Sequence, residues 1–205
     1  SRGALCLAAA GMGALLICTF TATGGAHALE TENPERTGPL PDHVHSRFDA
    51  LPLVDLKANT RARDLSQAMA VLEDPGGELS LEKALERFAE GRWMLPGSEA
   101  LRVRASTPVD IFSDGLHVTW HALRVASAPG DAGRFSLTSK DPWVTSVELY
   151  RVSGMGTELL DRGGLAVSEG KADAPELGIS LGLEVDAAPS LLLIRAQRWV
   201  DDGVL

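Results

Sequence analysis

The sequence predicts a mainly β protein: an antiparallel β-sandwich with one or two short helices near its amino end. Three observations predict it. From residue 116 onward, five segments carry strand patterning and are separated by Gly, Pro and Asp clusters. In one of them Leu177, Ile179, Leu181, Leu183 and Val185 alternate with Gly178, Ser180, Gly182 and Glu184, so one face is buried and the other is small or polar. Another is apolar on both faces from Leu191 to Ile194, as a central strand requires. Short strands following early helices favour a sandwich with long crossing connections, of the jelly-roll kind, over a closed barrel.

Taken in order, the first 28 residues contain one charged side chain, Arg2, followed by the apolar run ALCLAAAGMGALLIC and the small-x-small triplet Ala26, His27, Ala28. That combination matches an export signal cleaved after Ala28, with an uncleaved membrane anchor as the alternative. The chain opens on Ser1 and lacks an initiator Met, so Ser1 is not expected to be the true start. Both cysteines, Cys6 and Cys18, lie in this segment, so a processed chain carries no disulfide and is held by its core. Residues 29–50 hold the proline-rich ETENPERTGPLPDHVH and read as an extended linker. LPLVDL, residues 51–56, reads as a first strand. Leu65, Met69 and Leu72 recur at helical intervals and predict a helix over 60–72. Asp74-Pro75-Gly76-Gly77 forces a turn. Residues 80–89 then form the best-specified helix: Ser80 caps it, Leu81, Ala84, Leu85 and Phe88 make its apolar stripe, and Gly91 stops it. The strands follow at 116–125, 134–139, 144–152, 177–185 and 190–200, with SGMGTE as a strand-to-strand turn after the third. The expected domain is thus residues 51–205.

Composition excludes some functions. Asp and Glu number 28 against 19 Lys and Arg, a net charge of -9, whereas nucleic-acid binding needs an excess of cations. Nucleic acid is therefore not an expected partner. The chain has no G-x-S-x-G, H-E-x-x-H, P-loop or dinucleotide fingerprint, so no catalytic residue, metal or cofactor is assigned and the chain is read as non-enzymatic. A glycosidase would need two carboxylates facing one cleft. His43 and His45 sit in the linker, and His117 and His121 share a strand face, where both pairs read as structural or exposed rather than as ligands. Aromatic residues make up 5% of the chain, so each one matters. Trp120 lies mid-strand and, with Leu181 and Leu193, is assigned to the core. Trp143 and Tyr150 are the ligand candidates, because an exposed aromatic face can stack on a sugar ring. Arg195, in an otherwise apolar strand, is expected to pair with an acid.

These pieces also carry a resemblance. VDLKANTRARDLSQAMAVLEDPGGELSLEKAL, the Trp strand VTWHALRV, then DPWVTSVELYRVSGMGTELLDRGG, and finally LLLIRAQ follow one another over residues 51–205. In that order they resemble the type 2 extracellular domain of bacterial seven-transmembrane receptors with diverse intracellular signalling modules. The matching positions include Asp74, Pro75, Trp120, Pro142, Glu148, Tyr150, Gly163 and Arg195. His121 and Ala122 depart from the pattern, which carries an Arg after the strand Trp. The resemblance implies a carbohydrate-binding-like jelly roll, a periplasmic sensory domain on the extracytoplasmic face of the inner membrane, binding a small molecule or glycan. Its partners would be membrane-spanning and cytoplasmic output modules of the same longer chain, a diguanylate cyclase or a histidine kinase. A stand-alone secreted carbohydrate-binding or structural sandwich is the alternative.

Overall fold

Among the described residues, ten strands and two helices form two facing sheets with a helical layer outside the larger one. The computed structural model describes residues 18–22, 42–57, 63–65, 67–101, 115–128, 133–139, 144–153, 156–164 and 179–200. In chain order the elements are β1 (Cys18–Ala22), α1 (Asp42–Phe48), β2 (Leu53–Leu56), β3 (Arg63–Asp64), β4 (Ala70–Asp74), α2 (Leu81–Ala89), β5 (Gly115–Ser127), β6 (Gly133–Ser139), β7 (Val144–Ser153), β8 (Gly156–Gly164), β9 (Ile179–Val185) and β10 (Ser190–Val200). The larger sheet runs β2-β5-β10-β7-β8, and β4 shares the β5 edge with β2; the smaller runs β3-β1-β6-β9. Among the described strand pairs, only β2–β5 is parallel. The chain crosses between the sheets at every step from β1 to β4, and again from β5 to β6, from β6 to β7, from β8 to β9 and from β9 to β10.

Period-two patterning explains how two separate cores arise on one sheet. On β10, Leu192, Ile194 and Ala196 point toward the smaller sheet and pack with Leu123, Val125, Leu149, Phe135 and Leu181. Leu191 and Leu193 point the other way, where they meet Trp120, Ala122 and Phe88 of the helical layer. A central strand with both faces buried is therefore apolar throughout. On β9 the alternation is strict: Leu181, Leu183 and Val185 are buried while Ser180, Gly182 and Glu184 are exposed. The outer face of the smaller sheet is polar, with Arg134 paired to Glu184 at 3.2 Å and Ser136 hydrogen-bonded to Ser180.

The second helix follows its local signals closely. Ser80 accepts from the Lys83 amide at 3.3 Å, Ala84 and Phe88 are buried, and Gly91 turns the chain away at φ +74°. Before it, the Asp74 carboxylate, itself buried, accepts from the amides of Glu78 and Leu79 at 3.0 Å each and closes the Asp-Pro-Gly-Gly turn. Trp93 then tucks under the helix. Its indole donates to the Ala84 carbonyl at 3.1 Å and meets Phe88 edge-on.

Three expectations differ from the structure. The helix over 60–72 is replaced by β3 and β4. Leu65 and Met69 enter the core between the sheets, whereas Leu72 enters the core under the helices. One helix cannot deliver a single stripe to opposite faces of a sheet, so the apparent helical spacing is coincidental. Within the stretch read as an extended linker, residues 42–48 form α1. Its Val44 and Phe48, one turn apart, are buried, and Arg124 fastens it by stacking over the Phe48 ring at 4.7 Å and bridging Asp49 at 3.1 Å. The glycine-flanked segment after β7 continues as β8, paired along β7 from Ser153–Gly156 to Ser146–Gly164. Residues 18–22, within the expected export signal, form β1, which pairs with β6 from Cys18–Ser139 to Ala22–Phe135.

Candidate functional site

A cleft of about 450 Å³ opens where β6, β7, β8 and β9 meet at the flank of the sandwich. That size falls in the range of small-molecule sites, roughly 300–1,000 Å³. The register explains what lines it. Arg151 lies on the same β7 face as Val147 and Leu149, so it points between the sheets; it is 5% exposed, and its Nη2 donates to the Glu184 carbonyl of β9. The Nε of Arg151 is buried without a hydrogen-bond partner among the described residues. Across the β7–β8 pair, Glu158 stands in register with Arg151, and beside it Leu159 is exposed while Leu160 packs against the core. Arg134 of β6 and Glu184 of β9 form the opposite rim.

The wall between β8 and β9 is held by two contacts that the sequence disguises. The Asp161 carboxylate accepts from the Gly182 amide at 2.8 Å, satisfying a donor on the outer edge of β9. A Cβ at Gly163 would stand 2.7 Å from Ile179 Cγ2, so only glycine lets β8 approach β9 this closely.

Of the two aromatic ligand candidates, Tyr150 lies elsewhere. Trp143 is outside the described residues. Tyr150 is half-buried on the opposite face of the larger sheet, under the helical layer, where its ring stacks on Trp120 at 6.4 Å. Its hydroxyl donates to Glu148 Oε2 at 2.9 Å, and Glu148 in turn faces Arg195 at 3.5 Å. Burial, then the hydrogen bond to Glu148, pushes the phenol up to about 12, so Tyr150 stays a neutral donor. Arg195 also lies over the Trp120 ring at 5.8 Å. Cross-strand pairing produces this row: Trp120, Arg195 and Glu148 are register partners across β5, β10 and β7. The structure thus gives Arg195 the acidic partner expected of it. Trp120, Leu181 and Leu193 are all buried.

His117 and His121 do share a face of β5, with Thr119 between them. His121 is fully buried; its Nε2 pairs with Thr119 Oγ1 at 3.1 Å, and its Nδ1 has no partner among the described residues. Burial first, and the charge of Arg198 second, lower it to about 3, so it is neutral at neutral pH. No cluster of three metal-capable side chains occurs among the described residues. His43 and His45 lie on α1, and their side chains are outside the described residues.

No family model, curated protein or solved structure matches the chain. Function is therefore argued from the cleft itself. Sequence reasoning missed its residues: Arg134, Arg151 and Glu158 are charges on strands, and the one usable signal was Arg151, a charge at a position where β7 alternation calls for an apolar residue.

Proposed function

We propose that this chain is a non-enzymatic, extracytoplasmic ligand-sensing domain, the amino-terminal part of a bacterial transmembrane receptor with a diguanylate cyclase or histidine kinase output. The observation that carries the binding role is the mixed polar and apolar cleft with the buried guanidinium of Arg151 on its wall. The export-like first 28 residues and the order of motifs over 51–205 support the receptor context. A short sandwich of crossing strands, jelly-roll in kind, suits that role. The ligand acts by binding one packing arrangement of domain and membrane bundle better than the other, and it shifts output by that difference alone. Sugar stacking on Tyr150 is not part of the reading, because its ring is occupied by Trp120 and its hydroxyl by Glu148. A hydrolase is disfavoured although Glu158 and Glu184 share the cleft. Both are exposed and Glu184 is taken up by Arg134, whereas the acid of a hydrolytic pair sits in an apolar pocket.

The test is thermal unfolding of the whole chain against neutral sugars, amino acids and small carboxylates, with Leu159→Trp as a variant that fills the cleft. A ligand at about 100 times its Kd stabilises by about 2.7 kcal/mol. At least one class is expected to raise Tm, and Leu159→Trp to abolish the rise. No shift from any class, a shift indifferent to Leu159→Trp, or turnover of aryl glycosides would overturn the proposal.

A further inference from the structure

We propose that the cleft takes a small zwitterion with an apolar side chain, of the α-amino acid class, its carboxylate on Arg151 and its ammonium on the Glu158 side. This rests on the binding role proposed above. Four charged groups line the cleft, Arg134 and Arg151 against Glu158 and Glu184. They cancel, so the site offers no net field to concentrate a bare anion or cation. It offers separate poles of each sign, which is what a molecule carrying both charges matches.

The positive pole is the better built. Arg151 is 5% exposed, spends one arm on the Glu184 carbonyl and keeps a buried Nε–H without a partner among the described residues. Burying a guanidinium with so few acceptors is costly, and a ligand carboxylate supplies the planar acceptor that a guanidinium fits. At the other pole, Glu158 stands opposite Arg151 across the β7–β8 pair and is exposed, free to meet an ammonium at the mouth. Glu184 is bound to Arg134, which leaves Glu158 as the acid that selects the amine. The lining also has apolar members: Leu160, which packs against the core, and Leu159, at 46% one of two large exposed hydrophobic residues among the described ones. An apolar ligand side chain covers Leu159 and gives its exposure a purpose.

Isothermal titration of the whole chain with leucine, isocaproate, isoamylamine and glucose tests this. Leucine is expected to bind at least about tenfold tighter than isocaproate, which lacks the ammonium, and than isoamylamine, which lacks the carboxylate. Glu158→Gln is expected to weaken leucine about fivefold or more and leave isocaproate unchanged, while Arg151→Met weakens both. Because Arg151 is buried and its variant can fail to fold, the exposed Glu158→Gln carries the decision. Equal binding of leucine and isocaproate, or equal binding of leucine by Glu158→Gln and the unaltered chain, overturns the inference. Glucose binding that Leu159→Trp abolishes, with no leucine binding up to about 10 mM, overturns the inference and spares the sensory reading. Silence from all four overturns this inference, and the sensory reading then stands or falls on its own wider panel.

Discussion

His121 makes the stability of this sandwich acid-sensitive in a way that one substitution isolates. Its imidazole is fully buried on the β5 face between the sheets, touching Thr119 and lying near the charge of Arg198. The folded state holds it neutral down to about pH 3, whereas the unfolded chain protonates it near its ordinary value of about 6.5. A depressed folded value means that the unfolded state binds the extra proton first. Stability from this group is therefore full above about pH 6.5 and falls as pH drops toward 3, at about 1.4 kcal/mol per pH unit. Between pH 7 and pH 5 the loss is about 2 kcal/mol, and by pH 4 it is about 3 kcal/mol, a large share of the 5–15 kcal/mol typical of a domain. Carboxylates titrate in the same range, so the wild-type curve alone does not isolate the histidine. His121→Gln does: it keeps a polar partner for Thr119 and is neutral at every pH. Urea denaturation followed by far-ultraviolet circular dichroism at pH 7, 6, 5 and 4 gives both curves. His121→Gln is expected to cost stability at pH 7 and to lose about 2 kcal/mol less than wild type on going to pH 5. Parallel curves would refute the burial argument, since they require an imidazole that protonates equally in both states.

Other substitutions probe the frame. Trp120→Ala is expected to cost about 3–5 kcal/mol, because it empties the core under the helices and strips Tyr150 and Arg195 of their shared ring; denaturant unfolding showing a loss below about 1 kcal/mol would place that side chain at the surface. Gly164→Ala is expected to cost at least about 2 kcal/mol by the same assay, because φ is +152° and the new Cβ would stand 2.2 Å from the Thr145 carbonyl oxygen. Ser80→Ala, on an exposed helix end, is expected to cost about 1 kcal/mol by loss of the cap on Lys83. A chain beginning at Leu29 lacks β1 and leaves β6 bonded to β9 alone, so amide exchange in residues 133–139 is expected to quicken relative to the full chain; unchanged rates would show that β1 does not protect that edge.

The strands of the carboxyl-terminal half, β8 apart, were legible because each carries its own burial code. Residues 179–185 alternate, and one buried face follows from a period of two. Residues 190–194 do not alternate, and a strand with a core on each side follows from that. The second helix was legible for the same reason, its cap, stripe and stop all lying within a dozen residues. Where the reading departed, the deciding contact lay far away in sequence. Three apolar residues at 65, 69 and 72 fit a helix until β5 offers an edge at Trp120 and Ala122 for β4 to join. Residues 42–48 lack enough local pattern to specify a helix, and they form one because Phe48 and Val44 complete a core built by β5, β10 and α2.

The candidate site divides in the same way. Arg195 was visible as a charge interrupting an apolar strand, and a strand charge with a buried flank needs a partner, which Glu148 supplies. Arg134, Arg151, Glu158 and Glu184 come from four strands, and nothing in the chain sets them side by side. By itself the sequence determined what local chemistry can encode: a mainly β chain, which faces of its later strands are apolar, where the Asp74 turn and the second helix lie, and an acidic balance unsuited to nucleic acid. The tertiary structure alone decided which strands are neighbours, that one sheet carries a core on each face, and that two arginines and two glutamates meet around one cleft. Burial periodicity is written residue by residue, whereas strand order and cross-sheet contact depend on how distant segments pack, a choice set by the sum of many long-range contacts that no short stretch of sequence contains.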